Sequence, residues 1–157
     1  MYYVIDKSRL WELIYEETSK VADQAYADDG TPLYDSVVLT EKDRSTVERF
    51  IDDAVDALVR REFDVTKQAP LPTFSEDDPR QVVSVIPRLE FHVPDFDETL
   101  ASMLDNELDR YITMYACAAL YQQRRPSLAP EYTTRTQSSM DKAVAFLKSR
   151  KHPVTKW

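Results

Sequence analysis

Apolar residues recur at spacings of three and four over four long stretches of this chain, the mark of helices with one buried face. Leu10, Trp11, Ile14, Thr18, Val21 and Ala25 form the first stripe. They predict a helix over residues 6–27, capped by Asp6 or Ser8 and stopped near Gly30, where a left-handed residue is expected. Val47, Phe50, Ile51, Ala54, Val55, Leu58 and Val59 form the second, over residues 41–62. Thr40 suits its N-cap, with Glu41 and Asp43 in the first turn and Arg60 and Arg61 in the last, each matching the helix dipole. Leu100, Met103, Leu104, Leu108, Tyr111, Ile112, Tyr115, Ala118 and Ala119 predict the longest helix, starting near Asp95 to Asp97 and ending just before Pro126. Tyr132, Thr136, Met140, Ala143, Val144 and Leu147 predict the last. It starts near Leu128 or Pro130, since proline is accepted in a first turn, and Ser127 is available as its cap.

Between the second and third helices the period changes. Residues 67–80 carry Pro70, Pro72 and Pro79 and no helical repeat, which predicts an exposed loop. Leu71 and Phe74 are its apolar anchors, expected to meet another subunit. From Val83 to Val93 apolar and polar residues alternate, with Val83, Val85, Leu89, Phe91 and Val93 on one side, which predicts a strand. Pro87 makes it an edge strand, a bulged strand or two short strands. Its partner is either Phe63-Asp64-Val65 or Val37-Val38-Leu39. The expected architecture is therefore mainly α, with four helices and a small β insertion at about residues 63–94. A main body over residues 1–147 is followed by a tail over residues 148–157.

Composition sharpens this picture. A single glycine, Gly30, in 157 residues argues against a strand-rich fold with many tight turns. The one cysteine, Cys117, excludes an intramolecular disulfide and a cysteine metal cluster, and its apolar neighbours predict a buried thiol. No stretch reads as a signal peptide or a membrane span, so a protein made in the cytosol with no membrane partner is expected. The net charge of −8 is unevenly spread. Residues 1–66 hold eight basic and sixteen acidic residues, whereas residues 124–157 hold eight basic and two acidic. Two solvated faces explain this, and so do two surfaces that meet between subunits.

Candidate chemistry is sparse. His92 and His152 have no second histidine at a ligand spacing, and read as surface residues. Asp52, Asp53 and Asp56 fall between core positions of the second helix, as on a solvated face. Asp77 and Asp78 lack the spaced oxygens of a calcium loop. No phosphate-binding glycine loop or nucleophile elbow is possible with one glycine. The expectation is no enzyme, no metal and no cofactor. Tyr111, Tyr115 and Tyr121 read as helix-packing residues. Arg124 and Arg125 read as a cationic helix end or as part of a subunit contact. Trp157 beside Lys156 reads as an anchor for another chain or as a residue folded onto its own domain.

The stretch Ala119-Leu120-Tyr121-Gln122-Gln123-Arg124-Arg125-Pro126, then Leu128-Ala129-Pro130-Glu131-Tyr132, then a helix ending Ala143-Val144-Ala145-Phe146-Leu147-Lys148, resembles the last two helices of head–tail connector (adaptor) proteins of tailed bacteriophages. The resemblance covers roughly a third of the chain. The preceding helix pair and a short β insertion also suit that family. The proline-rich stretch at 67–80 has no place in its pattern. The resemblance implies a subunit of a closed ring, commonly of about twelve copies, that sits under the portal vertex and continues the DNA channel towards the tail. It implies a portal protein, other neck or tail proteins and non-specific channel contact with DNA as partners. The virion neck, assembled in the host cytoplasm, is the implied location. By position, the portal-docking segment is Lys148, Arg150, Lys151, His152, Val154, Lys156 and Trp157; Leu71, Phe74, Arg124 and Arg125 are the expected subunit-interface residues. The competing expectations are a non-catalytic bacterial adaptor or regulatory protein and, less compatible with a pI near 4.8, a nucleic-acid binder.

Overall fold

A computed structural model of the chain describes residues 1–24, 26, 29–32, 38–60 and 64–149. The protein is mainly helical, with four α-helices and a three-stranded antiparallel sheet. The order is β1 (Tyr2–Val4), α1 (Lys7–Asp23), a 3-10 turn (Glu41–Asp43), α2 (Arg44–Val59), β2 (Val65–Phe74), β3 (Val82–Phe91), a 3-10 turn (Glu98–Leu100), α3 (Ala101–Arg124) and α4 (Ala129–Lys148). The helices sit where the apolar periods place them. The β insertion sits between α2 and α3.

Caps explain the helix starts. Asp6 Oδ1 accepts from Ser8 N and Arg9 N, both at 3.1 Å, and fixes the start of α1. Asp43 Oδ2 accepts from Thr40 N at 2.9 Å and starts the turn before α2. Leu128, not Ser127, occupies the N-cap of α4, with Pro130 in the first turn. The first helix ends at Asp23, earlier than expected, and Gly30 (φ 84°) belongs to a bend further on instead of the helix stop. Asp95 (φ 55°) takes the other left-handed position, in the turn from β3 into α3. Aspartate tolerates that conformation better than most residues.

The core is organised around α3. That helix packs on α4, α2 and α1 in turn. Leu104, Leu108, Tyr111, Ile112, Cys117, Leu120 and Tyr121 on it are buried. Val47, Phe50, Ile51, Ala54, Val55 and Leu58 bury the α2 stripe as predicted. Leu10, Trp11, Ile14, Thr18 and Ala22 do so on α1. The Thr18 hydroxyl is satisfied by donating to Ile14 O at 2.9 Å. Met103, expected in the core, is instead about half exposed, on the outer side of a turn whose Leu104 is fully buried.

The largest correction concerns the proline-rich stretch. Residues 67–74 are not a loop but most of β2, and only 75–81 form the turn. β3 is the central strand, flanked by β1 and β2. Phe91 N donates to Met1 O and Ile5 N donates to Pro87 O, both at 2.8 Å, so odd-numbered β3 residues face β1 and even-numbered ones face β2. Pro72 lies opposite Val85 and therefore turns its nitrogen to the outer edge. Pro70 lies in the bulge between Gln68 and Leu71, and Pro79 in the turn. None of these three prolines has to supply a ladder hydrogen bond, whereas Pro87, expected to mark an edge or a bulge, lies in the central strand, where its carbonyl accepts from Ile5 N. Of the expected partner strands, Asp64-Val65 is correct, with His92 N donating to Asp64 O at 2.8 Å. Leu39 is buried in the core instead. β1 was not anticipated. Phe63 and Val37 lie outside the described residues.

Candidate interaction surface

Leu89 of β3 sits across from Tyr3 of β1 and Lys67 of β2, and both Leu89 and Tyr3 are buried, which defines the inner face of the sheet. Near the body this face, with Val65 and Phe91, covers the helices. Counting along β3 from Leu89, position 85 is in phase with it; Pro72 lies opposite, and Phe74 follows two residues later. The inner face thus continues outward as an overhang. There Phe74 and Val82 are each 52% exposed, against 8% or less for Val65, Leu89 and Phe91.

The overhang has a built tip and a built root. At the tip, Ser75 N donates to Gln81 O at 2.9 Å and Arg80 N to Asp78 Oδ1 at 2.9 Å, which orders a turn holding Glu76, Asp77 and Asp78. At the root, a cleft of about 420 Å³ opens where the sheet parts from α2. Ile5, Val55, Pro70, Pro87 and Leu89 line it. Two ion pairs fence it: Lys7 with Asp52 at 2.9 Å, and Lys67 with Asp56. Lys67 holds the Asp56 carboxyl below its usual range by hydrogen bond and charge. Asp56 thus ties β2 to α2, and Asp52 ties the start of α1 to it.

The edges of the hairpin differ. Among the described residues no strand pairs with β3 from Val82 to Ile86 on the β1 side, because β1 ends at Val4 opposite Arg88. On the other side, Pro72 blunts the outer edge of β2.

Cationic residues are spread along α4, from Arg124 and Arg125 at the turn before it to Lys142 and Lys148 in its C-terminal half. Arg124 pairs with Asp43 and ties the end of α3 to the start of α2. Arg125, half-buried, lines a cleft of about 390 Å³ with Glu17, Lys20, Tyr132 and Arg135. There Tyr132 donates to Glu17 Oε1 at 3.0 Å and Arg135 bonds the same oxygen at 3.2 Å, locking α4 to α1. Lys142 and Lys148 are exposed on α4.

Each anticipated residue has a place. Phe74 is exposed on the overhang, and Leu71 lies in β2 opposite Ile86. Arg124 is engaged within its own chain and Arg125 borders the cationic cleft. Lys148 closes α4. Arg150, Lys151, His152, Val154, Lys156 and Trp157 lie outside the described residues. The root cleft and the role of β1 were missed by sequence reasoning. The alternation Tyr2-Tyr3-Val4-Ile5 is too short to carry a strand signal by itself.

Among the described residues no group of three His, Cys, Asp or Glu is placed to hold a metal ion. His92 Nε2 lies 2.9 Å from Thr66 Oγ1 across the exposed strand pair. Burial pushes the Cys117 thiol far up, so it stays protonated. Tyr3 donates to Asp109 Oδ1 at 2.5 Å, and Arg9 bonds the same oxygen at 2.9 Å, so one carboxylate ties β1 and α1 to α3. No helix among the described residues is long and apolar enough to cross a membrane. No protein-family model matches the chain, and no curated protein or solved structure matches it either.

Proposed function

We propose that this chain is a structural subunit of a tailed-phage neck, forming an oligomeric ring that connects the portal to the tail. The reading is carried by the arrangement of α3 and α4. The stretch that resembles the last two connector helices is a closely packed helix pair joined by the turn at Arg125–Leu128, and the β insertion precedes it between α2 and α3. The two charged surfaces support it, because a ring needs two different patches on each subunit. In this reading Lys148 and the segment beyond it dock on the portal. The chain then works by shape and charge, with no catalytic step.

The test is the mass of the purified chain, alone and co-expressed with the portal protein of its own genome. A ring predicts a single oligomer by native mass spectrometry, annular particles by electron microscopy and retention of portal. A chain that stays monomeric at tens of micromolar and retains no portal is instead a monomeric protein-binding module, and the proposal falls.

A further inference from the structure

We propose that the β2–β3 hairpin is a clasp: its overhanging inner face packs onto a second copy of this chain, with its acidic tip against the cationic surface of that copy's α4. The reading deepens the ring proposal and depends on it only for closure of the ring.

The first argument is continuity. One face runs from Val65, Leu89 and Phe91, past Lys67 at the root, to Pro72, Phe74 and Val82. Helix α2 covers the near half. Nothing among the described residues covers the far half. A strand that had only to close its own core could stop where the helices stop. This one carries a phenylalanine and a valine, each half exposed, at the far end of strands ten residues long.

The second argument is reach. Ten residues of strand span about 33 Å, and Phe74 lies seven residues beyond Lys67 at the root. Pairing with β3, interrupted by register shifts at Gln68–Leu71 and Thr73–Phe74, holds the arm extended. Phe74 therefore lies away from the cleft at its own root, and the described residues leave about half of it exposed, which leaves room for an apolar partner from another molecule.

The third argument is charge, and it selects a second copy as that molecule. The turn over residues 75–81 holds three acidic residues and one basic. Residues 124–149 hold five basic and two acidic. Of those five, Arg124 and Arg135 are engaged in ion pairs, whereas Arg125, Lys142 and Lys148 have none among the described residues. The tip and the α4 surface are different patches of one chain, so their union is head-to-tail and repeats from copy to copy. The apolar overhang supplies the affinity, and the charges steer and orient the encounter.

The experiment uses the full chain. A photoreactive phenylalanine analogue in place of Phe74 is irradiated in the assembled protein, and the cross-links are mapped by mass spectrometry. Cross-links between copies, ending on α3 or α4, are expected. Phe74→Asp with Val82→Asp should raise the dissociation constant of self-association at least about tenfold, with an unchanged melting temperature because both positions are exposed. Glu76→Lys with Asp77→Lys should weaken association, and adding Lys142→Glu with Lys148→Glu should restore it. Cross-links confined to one copy, or full association by the Phe74–Val82 variant, overturn the clasp. An intact ring from that variant leaves the ring proposal standing without the clasp. Inter-copy cross-links in an open filament or a dimer leave the clasp standing without the ring.

Discussion

At Asp105, burial and a like charge act in the same direction. Desolvation raises its carboxyl above the usual range, Asp109 raises it further, and Arg9 opposes them. Oδ1 is enclosed with no hydrogen-bond partner among the described residues. A raised native pKa means that the native state holds more protons than the unfolded one between the two values. Stability therefore falls as pH rises from the ordinary carboxylate range through the native value. Asp105→Asn should flatten that fall and raise the melting temperature at pH 7 by up to about 3 °C. A lower melting temperature across the whole pH range would mean that the charge is needed. Phe50 gives the opposite kind of prediction. It is 7% exposed in the stripe that packs α2 on α3, with the Arg49 guanidinium 5.7 Å above its ring. Phe50→Ala should cost about 3–5 kcal/mol through transfer and cavity terms, read by chemical denaturation. A loss under about 1 kcal/mol would show that the groove beside it collapses to fill the gap.

Among the elements, β2 depends on where its prolines fall. Pro72 removes a donor from an edge that would otherwise invite another strand. Pro72→Thr should leave the fold intact and increase non-specific association, measured by light scattering against concentration. Unchanged scattering would mean that the tip charges alone protect this edge. The same element shows why composition misled. Three prolines in the fourteen residues 67–80 read as a loop on average statistics. A strand tolerates them when one sits in a bulge, one on the outer edge and one in the turn. That phase is set by pairing with β3, a partner some fifteen residues away in sequence.

At the scale of the whole molecule, the C-terminal segment lies beyond the last buried residue of the core. Truncation after His152 should keep the fold, because α4 ends at Lys148 and its last buried residue is Leu147. It should abolish portal retention if the segment docks there. Circular dichroism and a portal pull-down check the two halves separately. A loss of helicity would place the tail in the core, and full portal retention would remove its docking role. High salt should weaken docking only in part, since exposed pairs are screened whereas a buried tryptophan is not.

Helical period needs only local sequence, so α2, α3 and α4 were legible from their stripes, and so were their buried faces. The Asp6 cap was legible for the same reason, since its partners, Ser8 and Arg9, are two and three residues away. Sheet order was not legible, because β1 is three residues long and gains meaning only opposite Arg88, Leu89 and Glu90. Nor were the ties that close the domain, such as Tyr3 and Arg9 on Asp109, Arg124 on Asp43 and Arg135 on Glu17. Each joins residues about 80 or more positions apart by a hydrogen bond whose energy depends on distances of a few tenths of an ångström. Periodicity along the chain fixes which face of an element is buried, but only packing fixes what that face meets. The difference decides this molecule's exposed overhang: the same apolar alternation is core where α2 lies beneath it and free surface one turn of strand further on.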